Sequence, residues 1–172
     1  MFPLLIFVFI IVVQRIVELL IAKRNETWMR NRGAIEFGSS HYPYIVAMHT
    51  LFLGAFILET FIFEKKPSVI WPILLVIFIC AQAGRIWTLA SLGRYWNTKI
   101  IVLPNAKPIQ KGPYRYFKHP NYLIVAIELL VIPLMFNAIF TAVFFSLLNI
   151  AMLSIRIPTE ERALARLTEY ES

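Results

Sequence analysis

Two short clusters in this chain of 172 residues hold side chains able to do chemistry. The first is Lys111-Gly112-Pro113-Tyr114-Arg115-Tyr116-Phe117-Lys118-His119-Pro120-Asn121-Tyr122. Gly-Pro makes a turn at its start, and Pro120 suits the first turn of a following helix. The aromatic rings offer stacking faces, while His119, Asn121 and the amides of a helix start offer hydrogen bonds. An aromatic and basic belt where a helix enters a membrane has the same composition. The second cluster is Arg156-Ile157-Pro158-Thr159-Glu160-Glu161-Arg162. Arg156 and Glu160 are four apart, so a continuous helix puts them on one face. A guanidinium in that position can hold an anion without protonating it. The pair also reads as a solvated ion pair of little energetic weight, and Arg156 as a side chain that snorkels to lipid headgroups. Neither cluster is specific by itself.

The elements that must position them are apolar. Hydrophobic residues make up 59% of the chain, against about 45–50% in soluble domains. Mean hydropathy is +0.68, and the apolar residues fall in runs too long for the helices of a soluble core. The first run covers about residues 2–22. It lacks the basic start and the Ala-x-Ala site of a cleaved signal, so it reads as a retained span. A polar stretch, residues 23–40, leads to a second span at about 42–63. Glu64-Lys65-Lys66-Pro67 then turns the chain into a third span at about 68–90. A polar loop over 91–118 precedes an apolar block at 122–155, longer than the roughly 20 residues one span needs. Pro133 and Phe136-Asn137-Ala138 near its middle predict two short helices in a hairpin. Pro-Thr-Glu-Glu at 158–161 predicts the N-terminus of a separate tail helix over 158–170. The expected fold is therefore all-α, an integral membrane bundle of about five transmembrane helices.

Charge sets the expected orientation. The chain carries a formal net charge of +7, but its Lys and Arg lie mainly between apolar runs. That placement fits anionic headgroups and the positive-inside rule, and no nucleic-acid partner is expected. Lys23, Arg24, Arg30 and Arg32 follow the first span; six further cations lie in the 91–118 loop; Arg156, Arg162 and Arg166 end the chain. The other side holds only Lys65 and Lys66. This arrangement predicts a multi-pass protein with the loop and the tail in the cytoplasm and the N-terminus outside. The single Cys80 excludes an intramolecular disulfide, and three scattered His show no zinc-ligand spacing.

Taken in order, the two clusters become specific. Gly112-Pro113-Tyr114, then Lys118-His119-Pro120-Asn121-Tyr122, an apolar hairpin, then Arg156-x-x-x-Glu160-Glu161 resembles the isoprenylcysteine carboxyl methyltransferase family over about residues 84–170. Arg15-x-x-Glu18-Leu19, Gly33-Ala34-x-Glu36 and His41-Tyr42-Pro43 are similar to small bacterial members. Some of those look like partners of type III polyketide synthases that methylate alkylpyrones. The resemblance implies a single membrane-embedded domain over 1–172, with N-terminal spans in 1–83 and a cofactor-binding catalytic half in 84–172. It implies an S-adenosylmethionine pocket on the cytoplasmic side formed by Lys107, Pro108, Ile109, Tyr114, His119, Asn121, Tyr122 and Glu160. Arg156 is implied to face the substrate and the transferred methyl group. Lys118 stands where Arg is commoner in the family, and Leu123-Ile124 where Gly often follows the Tyr.

The implied reaction is an in-line displacement at a sulfonium methyl group, in which positioning supplies much of the acceleration. A carboxylate or an acidic enol is already an anion near neutral pH and needs a cation to hold it, not a strong base. Arg156 and Glu160 are the catalytic candidates, with no metal. A lipophilic acid entering from the bilayer is the expected substrate, an alkylpyrone-like polyketide ranked ahead of a prenylcysteine carboxylate, with a functional link to a type III polyketide synthase. Two alternatives stay open: an NADPH-dependent reductase of the sterol-reductase type, which shares Tyr114-Arg115-x-x-x-His119-Pro120-x-Tyr122, and a non-catalytic scaffold or transporter subunit. Arg15 and Glu18 are expected to pair within the bundle. His41 and His49 could line a substrate pocket or simply pack.

Overall fold

The computed structural model describes residues 2–168. Met1 and residues 169–172, including Tyr170 at the end of the expected tail, lie outside the described residues. The expected all-α class holds. Five α-helices, α1 (Phe2–Arg30), α2 (Tyr42–Ile62), α3 (Trp71–Leu92), α4 (Pro120–Leu134) and α5 (Ile139–Leu167), account for most of the described chain. Four of them, α1, α2, α3 and α5, are long and apolar enough to cross a membrane. The fifth, α4, has 15 residues and spans about 22 Å at 1.5 Å per residue, less than the roughly 30 Å of a hydrocarbon core. Phe9 and Leu20 on α1, Phe61 on α2, Ile86 on α3 and Phe140 on α5 are all more than half exposed. Water would penalise so many exposed apolar side chains; lipid does not.

The chain divides into two compact units. One comprises Ser40–Leu92 and Ile109–Thr159 and contains α2, α3, α4 and most of α5. In it α3 and α4 are joined by a buried ion pair. Arg85 Nε donates to Glu128 Oε1 at 3.0 Å, its Nη2 to Oε2, and Gln82 adds a 2.6 Å bond to Oε1. Such charges inside an apolar bundle are tolerated only when paired. Gly84, one residue before Arg85, faces the Ile124 side chain of α4. Glu59 on α2 caps α5. Its carboxylate accepts the amides of Phe140 (3.2 Å) and Thr141 (2.7 Å) and the Thr141 hydroxyl (2.7 Å). These are orphan donors of the first turn, where a negative charge also meets the positive end of the helix dipole.

The predicted hairpin at 122–155 is present. Asn137, with φ 55°, makes the left-handed turn, and its amide donates to the Lys66 carbonyl at 3.0 Å. The α2–α3 and α4–α5 turns therefore meet at one end of this unit. The second arm is not short, however, and the tail is not a separate helix. Helix α5 runs 29 residues straight through Pro158. Proline removes one backbone donor, and the Thr159 hydroxyl bonds the Ile155 carbonyl at 2.7 Å beside the gap.

The other unit comprises the chain up to Ser39, Gly93–Pro108 and the chain from Glu160 on, and shows why α5 continues. Ala163 is buried against Ile100 and Val102, with Phe37, Leu164 and Leu167 packed around them. That contact outweighs a local stop signal. Two three-residue strands, β1 (Ile35–Phe37) and β2 (Ile100–Val102), pair antiparallel with Ile35 opposite Val102. Both fall in stretches expected to be loops. Helix α1 also extends past its apolar run through Arg30, because Asn25 bonds the carbonyls of Gly93 (3.1 Å) and Trp96 (2.8 Å). Glu26 then receives Arg30 and Lys99, both at 2.8–2.9 Å.

Candidate cofactor and acceptor site

The shortness of α4 creates the room for the first cluster. Helix α4 begins only at Pro120, and the last turns of α3 are met instead by a 3-10 turn, Gly112–Arg115. Gly112 has φ 56° and packs so closely that a Cβ would overlap the Ser91 hydroxyl and lie 2.9 Å from Trp87 Nε1. Only glycine satisfies both the backbone and the space. Pro113 beside it is buried, and its carbonyl receives the amides of Tyr116 and Phe117 at 3.0 Å. Tyr114 is half-buried, whereas Tyr116 and Phe117 are exposed.

From here the chain enters α4 through His119, whose carbonyl accepts the Tyr122 amide at 3.2 Å. The His119 and Tyr122 rings stack at 5.4 Å between centroids and 17° between planes. The Tyr122 hydroxyl accepts a 2.8 Å bond from Arg156 Nε on α5, and the guanidinium carbon lies 5.5 Å from the Tyr122 ring centre. Arg156 is 8% exposed. A bond through Nε, with the ring alongside, holds the guanidinium plane in one orientation. Between His119 and Tyr122, the Asn121 Oδ1 atom is buried and has no hydrogen-bond partner. A buried acceptor without a donor is costly, so a ligand N–H or O–H there would remove a penalty.

His41, just before α2, belongs to the same unit. Burial first, and then the positive charge of Arg156, hold its imidazole below the usual histidine range, so it is neutral at pH 7. The sequence offers His41 as a pocket-lining or packing residue, but nothing in its spacing ties it to a residue as distant as Arg156. His49 is instead bound to its own helix, with Nδ1 2.8 Å from the Ile45 carbonyl. Arg15 and Glu18 pair at 2.8 Å, as expected.

The residues named from the sequence are thus distributed unevenly. His119, Tyr122 and Arg156 form one connected group, with Asn121 beside it and Tyr114 in the preceding turn. Ile109 is half-buried where the chain enters the same unit. Lys107, exposed, and Pro108, half-buried, belong to the other unit, as does Glu160. Glu160 follows Arg156 by four residues in the sequence of α5.

The chain is 47% identical to the uncharacterised protein YpbQ of Bacillus subtilis (strain 168), over 90% of this chain and 92% of that one. It is 29% identical to an uncharacterised protein of Haemophilus influenzae, over 89% and 90% of the two chains. No solved structure matches it significantly. Residues 73–166, from the start of α3 nearly to the end of α5, match the isoprenylcysteine carboxyl methyltransferase (ICMT) family and include both clusters. This multi-pass helical chain belongs to the isoprenylcysteine carboxyl methyltransferase family.

Proposed function

We propose that the protein is a membrane O-methyltransferase that uses S-adenosylmethionine to methylate a lipophilic acid. The observation that carries this reading is the buried Arg156, oriented through Nε by the Tyr122 hydroxyl, whose ring stacks on His119. Family membership supports S-adenosylmethionine as the cofactor, and the residues present suit it. The His119–Tyr122 stack is an aromatic surface for a cation or a flat heterocycle. Asn121 Oδ1 lacks a donor that the amino groups of such a ligand would provide. Lys107, Pro108, Ile109, Tyr114 and Glu160 are assigned to the cofactor by resemblance.

When bound, the cofactor would supply a sulfonium methyl group open to in-line attack by oxygen. Arg156 binds the acceptor's anionic oxygen and cannot surrender a proton to it, so the oxygen keeps the lone pair that forms the new bond. Tyr122 fixes the guanidinium, which limits the directions from which the acceptor can approach. His41, neutral, adds no second cation beside Arg156.

An alkylpyrone-like polyketide is the preferred acceptor, supplied by a type III polyketide synthase; a prenylcysteine carboxylate ranks next. That order rests on the likeness of Arg15-x-x-Glu18-Leu19, Gly33-Ala34-x-Glu36 and His41-Tyr42-Pro43 to small bacterial members. The acceptor enters from the bilayer and the cofactor from the cytoplasmic face. Thermal unfolding of the purified protein with S-adenosylhomocysteine or with NADPH tests the cofactor, since a ligand raises apparent stability by mass action. Stabilisation by S-adenosylhomocysteine alone is expected. Stabilisation by NADPH alone would replace the reading with a reductase. Transfer of labelled methyl to an alkylpyrone in preference to a prenylcysteine tests the substrate.

A further inference from the structure

Two guanidinium groups share one indole where α1 leaves its apolar run. Arg32, one turn past Trp28, lies with Cζ 4.1 Å from the Trp28 ring centre and donates to the Trp28 carbonyl at 3.2 Å. Arg94, from the 3-10 turn Gly93–Tyr95, places its Cζ 5.4 Å from the same ring. Tyr95 meets that ring edge-on at 5.7 Å. Both arginines are exposed. Their neighbours are handled differently: Arg30 and Lys99 are neutralised by Glu26 and Glu36. Among the described residues no carboxylate pairs with Arg32 or Arg94. The indole thus gathers two like charges that repel each other, and an anion between them would relieve that repulsion.

The surroundings indicate which anion. Val17, Ile21, Arg24 and Trp28 recur at helical spacing along one face of α1. Val17 and Ile21 are 48% and 42% exposed, an apolar strip that leads up the helix to the cationic ring. From Ile21 to Trp28 the helix rises about 10 Å, comparable to the step from acyl chains to headgroup phosphates. Arginine forks match phosphate oxygens, and tryptophan favours this interfacial depth. We propose that Trp28, Arg32 and Arg94 bind the phosphodiester of an anionic phospholipid, with an acyl chain along Val17 and Ile21.

The test uses the full-length protein in neutral detergent, titrated with dioctanoyl phosphatidylglycerol, dioctanoyl phosphatidylcholine or inorganic phosphate while thermal unfolding is followed. Phosphatidylglycerol should raise the unfolding temperature of the wild type and of Lys65→Gln/Lys66→Gln. Its apparent affinity should fall about thirtyfold in Arg32→Gln/Arg94→Gln, the loss expected for two basic residues at an anionic lipid surface. Arg94→Lys, which keeps the charge and loses the planar stack, should show an intermediate loss, and serves if the double variant does not fold. Equal affinity in the wild type and the arginine variants overturns the proposal. So does a full response to inorganic phosphate, which would make the ligand a soluble anion, or an equal response to phosphatidylcholine.

Discussion

Arg156 on α5 and Tyr122 on α4 meet through a 2.8 Å bond from the arginine Nε to the phenol oxygen. The bond joins the two clusters that are separate in the sequence. Its removal should be informative because Tyr122→Phe keeps the ring that stacks on His119. We expect turnover to fall about tenfold, the weight of one hydrogen bond to a charged group, with cofactor affinity nearly unchanged. Single-turnover methyl transfer and S-adenosylhomocysteine titration on the same preparation separate the two effects. An equal loss in both would mean that the hydroxyl serves the cofactor rather than Arg156.

Arg156 and Glu160 are four residues apart in α5 and should fail differently. Arg156→Lys keeps the charge and loses the fork, so methyl transfer should drop about a hundredfold or more while the cofactor still binds. Glu160→Gln should weaken cofactor binding about tenfold, since a carboxylate that complements a cationic ligand is lost. Wild-type turnover in both variants would remove both residues from the mechanism.

His41 gives a pH signature. Its folded-state imidazole is held below the ordinary value near 6.5 by burial and by Arg156. The unfolded chain therefore takes up the proton first as pH falls. No stability is lost on this account above about pH 6.5, and stability declines below it until the folded-state imidazole also protonates. His41→Gln should flatten that part of the curve. Unfolding temperatures between pH 7.5 and 5, compared for the two proteins, check the sign; a wild-type curve that rises toward acid pH would contradict it.

Glu59 caps α5 with three hydrogen bonds, and Asn137 and Glu59 together define where that helix starts. Glu59→Gln keeps the shape and loses the charge. It should cost about 1–3 kcal/mol of stability, measured by denaturant unfolding in mixed micelles. Because the cap lies at the opposite end of α5 from Arg156, cofactor affinity of the surviving folded protein should be unchanged.

Orientation can be read by labelling. In a Cys80→Ser background, a cysteine at position 105 should react with an impermeant reagent only from the cytoplasmic side. One at position 65 should react only from the outside. Reaction of both from the same side would remove the proposed topology.

Much was legible along the chain because it is local. Apolar runs longer than a soluble core needs announce the spans, and Gly112-Pro113-Tyr114, His119-Pro120-Asn121-Tyr122 and Arg156-x-x-x-Glu160 stand in family order. Pairing of Arg15 with Glu18 follows from helical spacing alone. What crosses between elements was not legible. The helices are apolar on nearly every side, so their patterns do not say which side meets protein and which meets lipid. Without that rotation the sequence cannot choose Glu128 for Arg85, Thr141 for Glu59, Tyr122 for Arg156, or bring His41 under the influence of Arg156. The run of α5 through Pro158 differs from the local expectation for a related reason. A proline is a strong local signal, but packing of Ala163 and Leu164 on Ile100 and Val102 is non-local, and the non-local contact decided the helix.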